Sequence, residues 1–128
     1  PRQPDIRSTE MMPEQLPLWA EQTNCAITVC DCDGIIIYMN ERARETFASH
    51  GPLIGKNLFD CHKPESARMI RHMLATGQSN AYTITKNGQH KVIYQTPWRQ
   101  NGQISGMVEI SMVVDAQMPH YNRDAQKN

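Results

Sequence analysis

The pattern of apolar and polar positions is most regular between residues 94 and 114. Tyr94, Thr96 and Trp98 alternate with other residues up to the dipeptide Asn101-Gly102, which tolerates positive φ and suits a tight hairpin turn. Beyond the turn, one set of positions lies mostly two residues apart, and the residues between them form a second set. The first set is Ile104, Val108, Ile110, Met112 and Val114, and the second is Ser105, Met107, Glu109 and Ser111. This period of two predicts an antiparallel hairpin in which the two sets occupy opposite faces.

Two residues of this hairpin are unusual for strands. Proline has no N–H to donate to a neighbouring strand, so Pro97 fits only a sheet edge or a bulge. Gly106 has no side chain, which suggests that another backbone segment approaches it closely. Both residues therefore predict a local irregularity within an otherwise regular pair of strands.

Two further hairpins are indicated earlier in the chain. Asp33-Gly34 and Asn87-Gly88 are strong turn dipeptides, and each separates two short apolar segments. The predicted strands are residues 26–30, 34–39, 81–85 and 91–95. With the segment from residue 103 to residue 114, the sequence predicts five strands.

Helices are predicted between the second and third strands. Asn40 is a good N-cap for a helix over residues 41–48. Pro64 suits the first turn of a longer helix over residues 65–75, and Gly77 ends it. The apolar stripes of the longer helix contain Ala67, Met69, Ile70, Met73 and Leu74. Two strands, then helices, then three strands predict an α+β domain: a five-stranded antiparallel sheet with short helices packed on one face.

The remaining segments define the predicted domain organisation of the 128 residues. The divisions are a flexible N-terminal segment at 1–12, an N-terminal flanking helix at 13–23, the domain at 24–115 and a polar tail or linker at 116–128. In the flanking helix, Leu16, Leu18 and Trp19 supply apolar side chains. Two interpretations of this helix remain open: it covers the domain's own sheet, or it forms the interface of a homodimer.

Charge and hydropathy exclude several classes of partner. Lys plus Arg and Asp plus Glu both number 13, so no net basic charge favours nucleic acid as a partner. Apolar runs such as residues 35–37 are too short to span a membrane, and the N-terminal residues lack the apolar core of a signal peptide. We therefore expect a cytoplasmic protein without a membrane or nucleic-acid partner.

Several motifs resemble those of PAS domains. The sequence TPWRQNGQISGMVEIS is similar to the last PAS hairpin, and the strand, D-x-D-G turn, strand, Asn and short helix at residues 26–48 resemble the opening of the fold. Residues 53–60, LIGKNLFD, resemble the PAS segment of short helices. Residues 57–66, NLFDCHKPES, further resemble the N-x-x-D-C-H-P-P-x-S signature of PAS modules in DUF438-type proteins, although Lys63 stands where that family has its first proline. The resemblance implies a sensory or protein-interaction domain that works with an output domain or partner protein.

The resemblance also implies where a ligand would bind, in an apolar cavity between sheet and helices. The predicted cofactor-binding residues are Val29, Met39, Phe47, Leu58, Met69, Ile70, Met73, Tyr82, Ile93, Tyr94, Met107 and Val108. The eight methionines of the chain are soft enough to repack around a small molecule. The alternative is a solid core in a ligand-free dimerisation module. No phosphate-binding loop, nucleophile elbow or H-E-x-x-H motif is present in the sequence, so we expect no enzymatic activity.

The cofactor is not determined by the sequence. Oxygen-sensing PAS domains ligate haem through a histidine early in the long helix, but Ser66 occupies that position here, which leaves His62 and His72 as candidate iron ligands. Flavin-binding PAS domains carry a reactive cysteine where this chain has Leu58, so flavin is disfavoured.

The cysteines offer a further hypothesis, which is metal binding or redox sensing. Cys25, Cys30, Cys32 and Cys61 are expected to be thiols rather than disulfides, and with His62 they have the donor atoms that zinc prefers. The C-x-C spacing of Cys30 and Cys32 is atypical for structural zinc, which favours small buried thiols. Cys61 is also the candidate for a redox-sensing thiol.

Overall fold

The computed structural model describes residues 17–124, with the side chain of Cys61 outside the description. Its helices are α1 (Leu18–Gln22), α2 (Glu41–Thr46) and α3 (Pro64–Thr76), with short 3-10 helices at Ala48–His50 and Leu58–Cys61. Its strands are β1 (Ala26–Asp31), β2 (Ile36–Met39), β3 (Asn80–Lys86), β4 (Gln89–Gln100) and β5 (Gln103–Val113). The predicted order of two strands, helices and three strands is therefore correct.

The three predicted hairpin turns are confirmed. Asn87-Gly88 joins β3 to β4 with φ values of 53° and 75°, and Asn101-Gly102 joins β4 to β5 with φ values of 52° and 78°. Two consecutive residues of positive φ match the twist of antiparallel strands, and Asn and Gly adopt this conformation most readily. Gly34, with φ of 83°, completes the turn between β1 and β2.

All neighbouring strands in the sheet are antiparallel, in the order β2-β1-β5-β4-β3. The hairpins account for three of these pairings, whereas the pairing of β1 with β5 joins the two ends of the domain. The helices α2 and α3 contact the sheet through β1, β2, β4 and β5. The predicted α+β class, a five-stranded antiparallel sheet with short helices on one face, is confirmed.

The irregularities expected at Pro97 and Gly106 are also present. The pairing of β3 with β4 ends at Gln95, so Pro97 has no partner on β3. A bulge follows between Trp98 and Arg99. At Gly106, an added Cβ would lie 1.9 Å from the carbonyl oxygen of Cys30. The Trp98 indole donates a hydrogen bond of 2.9 Å to that same oxygen. Only glycine allows this close approach of β5 to β1.

The helix boundaries follow local sequence signals. The side chain of Asn40 accepts a hydrogen bond from the backbone N–H of Ala43 and so caps α2, as predicted. Pro64 occupies the first turn of α3, and Gly77 ends this helix in the left-handed conformation with φ of 82°. Ala67, Ile70 and Met73 form its buried stripe.

We define the inner face of the sheet as the one that packs on the helices. Cys30 of β1 and Met107 of β5 are paired there, and both belong to the same buried cluster as Ile70 and Met73 of α3. Because side chains alternate along a strand, the residues between these positions form the outer face. The outer-face surface consists of Val29, Tyr94, Val108, Ile110 and Met112.

Within the predicted N-terminal flanking helix at 13–23, the structure describes residues 17–23, of which Leu18–Gln22 form α1. Residues 13–16, including the predicted interface residue Leu16, lie outside the described residues, as do the segments 1–12 and 125–128. Leu18 and Trp19 are in α1, and both are exposed. Among residues 17–124, no helix has the length and apolar character needed to cross a membrane.

Candidate ligand cavity

A cavity of about 440 Å³ lies between the inner face of the sheet and the segments that follow β2. Its volume is within the range of small-molecule sites, roughly 300–1,000 Å³. Its walls combine apolar side chains with a few polar ones: Thr28, Ile36, Met39, Phe47, His50, Leu53, Leu58, His62 and Glu109. The structure therefore has a cavity with apolar and polar walls between the sheet and the helical segments.

The apolar wall is held in place by backbone hydrogen bonds around β2. Ile36 donates to the carbonyl of Lys56 at 2.9 Å, and Gly55 donates to the carbonyl of Ile36 at 2.7 Å. Leu58, at the start of a 3-10 helix, donates to Gly34 at 2.7 Å, and the side chain of Asn57 caps that helix. These bonds fix the loop against the strand, so that Ile36 and Leu58 both face the cavity.

The polar side of the cavity comes from the inner face of the sheet. Thr28 of β1 pairs with Glu109 of β5, and both line the cavity. The side-chain amide of Gln95 donates to a Glu109 carboxylate oxygen at 2.8 Å, and its own oxygen accepts a 3.2 Å hydrogen bond from Asn80. We call Asn80, Gln95 and Glu109 the polar row. It runs from β3 across β4 to β5 and ends at the cavity.

Two histidines complete the wall. His50 is exposed, at the end of the 3-10 helix after α2, whereas His62 is half-buried. His62 Nδ1 lies 2.9 Å from the carbonyl oxygen of Leu58. Because a carbonyl only accepts, Nδ1 is the donor in this bond, and the neutral ring then carries its lone pair on Nε2.

Twelve residues were predicted to bind a cofactor, and the structure separates them into four groups. Met39, Phe47 and Leu58 line the cavity. Ile70, Met73, Ile93 and Met107 are buried in the core but do not line it. Met69 and Tyr82 are exposed. Val29, Tyr94 and Val108 belong to the outer-face surface, because they alternate with inner residues along their strands, and the prediction that they border the cavity is wrong.

Sequence reasoning missed five of the lining residues: Thr28, Ile36, His50, Leu53 and Glu109. Leu53 and Ile36 are apolar neighbours of predicted residues and carried a usable signal. Thr28 and Glu109 were overlooked because polar residues in a strand usually indicate the solvent side. Thr28 alternates with Val29 along β1, and Glu109 alternates with Val108 along β5. This alternation places Thr28 and Glu109 together on one face of the sheet.

The candidate metal ligands are dispersed in the structure. His62 lines the cavity, whereas His72 is exposed on α3, beside a separate groove that also contains Met69. Burial raises the pKa of the Cys30 thiol to about 12. Burial also raises the pKa of the Cys32 thiol, and the negative charge of Asp31 makes a smaller contribution in the same direction. Across residues 17–124, apart from the undescribed side chain of Cys61, no three His, Cys, Asp or Glu side chains are grouped to hold a metal.

A polar junction behind the cavity connects it to α1. Asn40 follows Met39, is fully buried, and uses all four of its side-chain hydrogen-bonding positions. Its oxygen accepts from the N–H groups of Ile27 at 2.9 Å and Ala43 at 3.0 Å. Its amide nitrogen donates to the carbonyls of Ala20 at 3.1 Å and Cys25 at 2.9 Å. One side chain thus ties together α1, β1 and α2.

An ion pair adds a second connection to α1. Arg44 forms a 2.5 Å contact with Glu21 and also donates to the carbonyl of Met39 at 2.7 Å. The hydroxyl of Tyr38 donates to Glu21 at 2.9 Å. The hydrogen bond from Arg44 lowers the pKa of Glu21, although partial burial opposes this effect. Burial, together with the bond to Glu21, raises the pKa of Tyr38.

Comparison with known proteins identifies similar folds at low sequence identity. The PAS domain of BvgS from Bordetella pertussis has a TM-score of 0.60 at 18% identity, covering 81% of this chain and 87% of that one. A sensory box sensor histidine kinase of Vibrio cholerae has a TM-score of 0.54 at 20% identity, covering 77% and 87%.

A third similar structure belongs to a longer protein. The VqmA dimer of Vibrio cholerae has a TM-score of 0.61 at 20% identity, and the match covers 83% of this chain but only 52% of VqmA. This chain therefore corresponds to about half of that protein. VqmA bound to DPO also matches, with a TM-score of 0.60 at 20% identity and coverage of 82% and 58%.

At the level of sequence, no curated protein matches the chain. A family model described as the PAS fold matches residues 20–117. This match covers most of the chain and includes every strand, the cavity wall and the Asn40 junction. The fold, the hairpin sequence around Asn101-Gly102 and the family model agree, and the chain belongs to the PAS fold family.

Proposed function

We propose that this domain is a sensor that binds a small molecule in the cavity and relays its presence through α1. The observation that carries the proposal is the cavity itself, a space of about 440 Å³ with an apolar wall and a polar side formed by Thr28 and Glu109. A space of this volume, with an apolar wall and a few polar groups, has the size and composition of small-molecule sites in proteins. VqmA, which has a similar fold over 58% of its chain, was solved bound to DPO, and this supports a small-molecule ligand for this chain.

The relay is supported by the position of Met39. Its side chain lines the cavity, its carbonyl accepts a hydrogen bond from Arg44, and its backbone continues into Asn40. A ligand that moves Met39 would therefore act on both connections to α1, the Asn40 junction and the Glu21–Arg44 ion pair. Ligands shift such an equilibrium only by binding one arrangement more tightly than the other.

The primary test is native mass spectrometry of the protein purified from its own host, with an absorption spectrum of the same sample. The expected result is a complex heavier than the chain by the mass of a small molecule. A visible absorption band would identify a coloured cofactor such as haem, for which His62 is the candidate on the cavity wall. A protein that carries no ligand and gains no thermal stability from its host's small-molecule extract would contradict the proposal.

A pair of variants tests the relay. Arg44→Gln removes the ion pair with Glu21 without changing a residue of the cavity wall, and Arg42→Gln is the matched control on the same helix. Hydrogen exchange of residues 18–27 is measured with and without the copurified ligand. We expect the ligand to change exchange there in the unmodified protein and in the control, and to change it less in Arg44→Gln, where the Asn40 junction alone remains. An equal response in all three proteins would exclude the ion pair from the relay and leave the Asn40 junction as the connection to α1.

A second candidate function is self-association. Trp19 is 76% exposed and Leu18 is 66% exposed, and the outer-face surface adds further apolar area around Tyr94. Large exposed apolar side chains commonly mark protein contacts. We propose a second copy of this chain as the partner.

Sedimentation equilibrium tests this association. We expect a dimer that Trp19→Ala weakens, with ligand affinity nearly unchanged because Trp19 does not line the cavity. A monomer at all concentrations, or a dimer unaffected by Trp19→Ala, would contradict an interface through α1.

A further inference from the structure

We infer that the cavity selects a small apolar molecule bearing an N–H donor group, preferentially a protonated amine, and that Glu109 is its anchor. This inference rests on the proposed sensor function, which it deepens by assigning the ligand's chemical class.

The polar row fixes the direction in which Glu109 presents its oxygens. A carboxylate accepts hydrogen bonds and does not donate, so the Gln95 side chain turns its NH₂ group toward Glu109 and its oxygen toward Asn80. One carboxylate oxygen is therefore occupied by Gln95. Among the described residues, the other oxygen has no hydrogen-bond partner, while Glu109 lines the cavity. A ligand N–H can bind this second oxygen.

Two other polar groups of the wall can also accept a hydrogen bond from a ligand. Thr28 stands opposite Glu109 in the sheet, and its hydroxyl can accept a hydrogen bond. In its neutral form, His62 offers the lone pair of Nε2, because Nδ1 donates to the carbonyl of Leu58. Among the residues that the structure describes, no lysine or arginine lines this cavity. Arg44 lines a neighbouring groove, but its guanidinium is bound to Glu21.

The ligand's anionic analogues would be rejected for the same reasons. A carboxylate placed beside Glu109 would bring two like charges together without a lysine or arginine among the described wall residues to offset them. A protonated amine makes a charge-assisted hydrogen bond with Glu109, which is roughly twice as strong as a neutral one. The side chains of Ile36, Leu53 and Leu58 then require an apolar body next to the amine.

The test uses three probes of similar shape: benzylammonium, benzyl alcohol and benzoate. Their dissociation constants are measured by NMR chemical-shift titration of ¹⁵N-labelled protein at mildly alkaline pH, where imidazoles are ordinarily neutral. We expect benzylammonium to bind tightest, benzyl alcohol next and benzoate at least tenfold more weakly than benzylammonium. The ranking in the unmodified protein tests the anchor without any substitution.

Glu109→Gln provides the matched variant. Its amide oxygen can still accept the hydrogen bond from Gln95, while an NH₂ group replaces the free oxygen toward the cavity. We expect benzylammonium to bind at least tenfold more weakly and benzoate to bind more tightly. Glu45→Gln makes the same change of charge at an exposed position of α2 and should leave all three affinities unchanged.

The possible failures are distinguishable. If benzoate binds as tightly as benzylammonium and shifts the resonances of Leu58 and Glu109, the anchor is refuted, while a ligand cavity remains. If no probe shifts any resonance of the cavity wall, both the anchor and the accessible cavity on which the proposed function depends are refuted. If Glu109→Gln binds benzylammonium with unchanged affinity, the amine is held elsewhere and the inference is overturned.

Discussion

The two faces of the sheet depart from the usual arrangement, because polar residues interrupt the apolar inner face and apolar residues cover much of the outer one. The inner face carries Thr28, Gln95 and Glu109 among its buried or half-buried residues, whereas the outer face presents aliphatic and aromatic side chains such as Ile110 and Tyr94. An antiparallel sheet usually turns its apolar residues inward and its polar residues toward water. This arrangement supports the proposal of a ligand on the inside and a second copy of the chain on the outside.

The polar inner face is tolerated because its groups are paired with each other. Gln95 is almost completely buried, yet its amide both donates to Glu109 and accepts from Asn80. A buried amide without partners would destabilise the fold by roughly 1–3 kcal/mol. No buried side-chain nitrogen or oxygen is without a partner in the described part of the chain. The polar row therefore supplies a polar surface to the cavity while remaining compatible with a stable core.

The largest expected loss of stability distinguishes two adjacent residues of β5, one on each face of the sheet. Met107→Ala should destabilise the protein by about 2–5 kcal/mol, because this side chain is 1% exposed and its removal leaves a void among Cys30, Ile70 and Met73. Val108→Ala should destabilise it by only about 1 kcal/mol, because Val108 is half-buried on the outer face. Urea unfolding measures both values. Equal losses of stability would refute the assignment of the two faces.

The sequence was sufficient to predict elements whose causes are local. Asn101-Gly102 and Asn87-Gly88 adopt positive φ almost wherever they occur between strands, and Asn40 caps a helix through its own side chain. Pro97 and Gly106 were informative for the same reason, since a missing N–H and a missing Cβ restrict what can lie beside them. These signals give the order of the elements and most of the sheet.

The orientation of the faces and the cavity could not be derived in this way. The alternation along β5 separates Val108 from Glu109, but it does not say which residue faces the helices. Hydrophobicity favours turning Val108 inward, and the structure shows the opposite. The cavity also depends on the pairing of β1 with β5, which brings Thr28 beside Glu109 from opposite ends of the domain. Nothing in either local sequence specifies that pairing.

A second prediction concerns the polar row. Gln95→Leu should destabilise the protein by about 1–3 kcal/mol, because it leaves the amide of Asn80 and one oxygen of Glu109 without their partner. Tyr94→Phe is the control on the outer face, where the loss of one exposed hydroxyl should change stability by less than about 0.5 kcal/mol. Thermal and urea unfolding provide both measurements. A neutral Gln95→Leu would mean that the polar row contributes nothing to the inner face.

A third prediction addresses the outer face. Met112 is 37% exposed, so Met112→Glu should leave the free energy of unfolding of the monomer within about 0.5 kcal/mol of the parent. If this face forms part of the dimer, the carboxylate would be buried at the interface, and the dimer dissociation constant should rise about tenfold, which corresponds to about 1.4 kcal/mol. Sedimentation equilibrium measures the change. Unchanged association would exclude Met112 from the interface and restrict self-association to α1.

The smallest expected effect is the pH dependence of stability that comes from the Glu21–Arg44 ion pair. Unlike the two faces of the sheet, α1 is attached to the domain partly by this ion pair. Arg44 lowers the pKa of Glu21, so unfolding allows Glu21 to bind a proton more readily than in the folded state. The resulting stabilisation is complete above the ordinary glutamate pKa, about 4.3, and is lost as the pH falls through the lower folded value. Because Arg44 is 44% exposed, solvent screening limits the loss to less than about 1 kcal/mol.

Glu21→Gln isolates this contribution because it removes the titrating group but retains an acceptor for Tyr38. The difference in unfolding free energy between the two proteins, followed by urea unfolding from neutral to acidic pH, should shrink as Glu21 becomes protonated. A difference that stays constant would show that the Glu21–Arg44 pair does not hold α1. In that case Asn40, whose amide has no charge to titrate, and the hydroxyl of Tyr38 would provide the polar connections to α1 within residues 17–124.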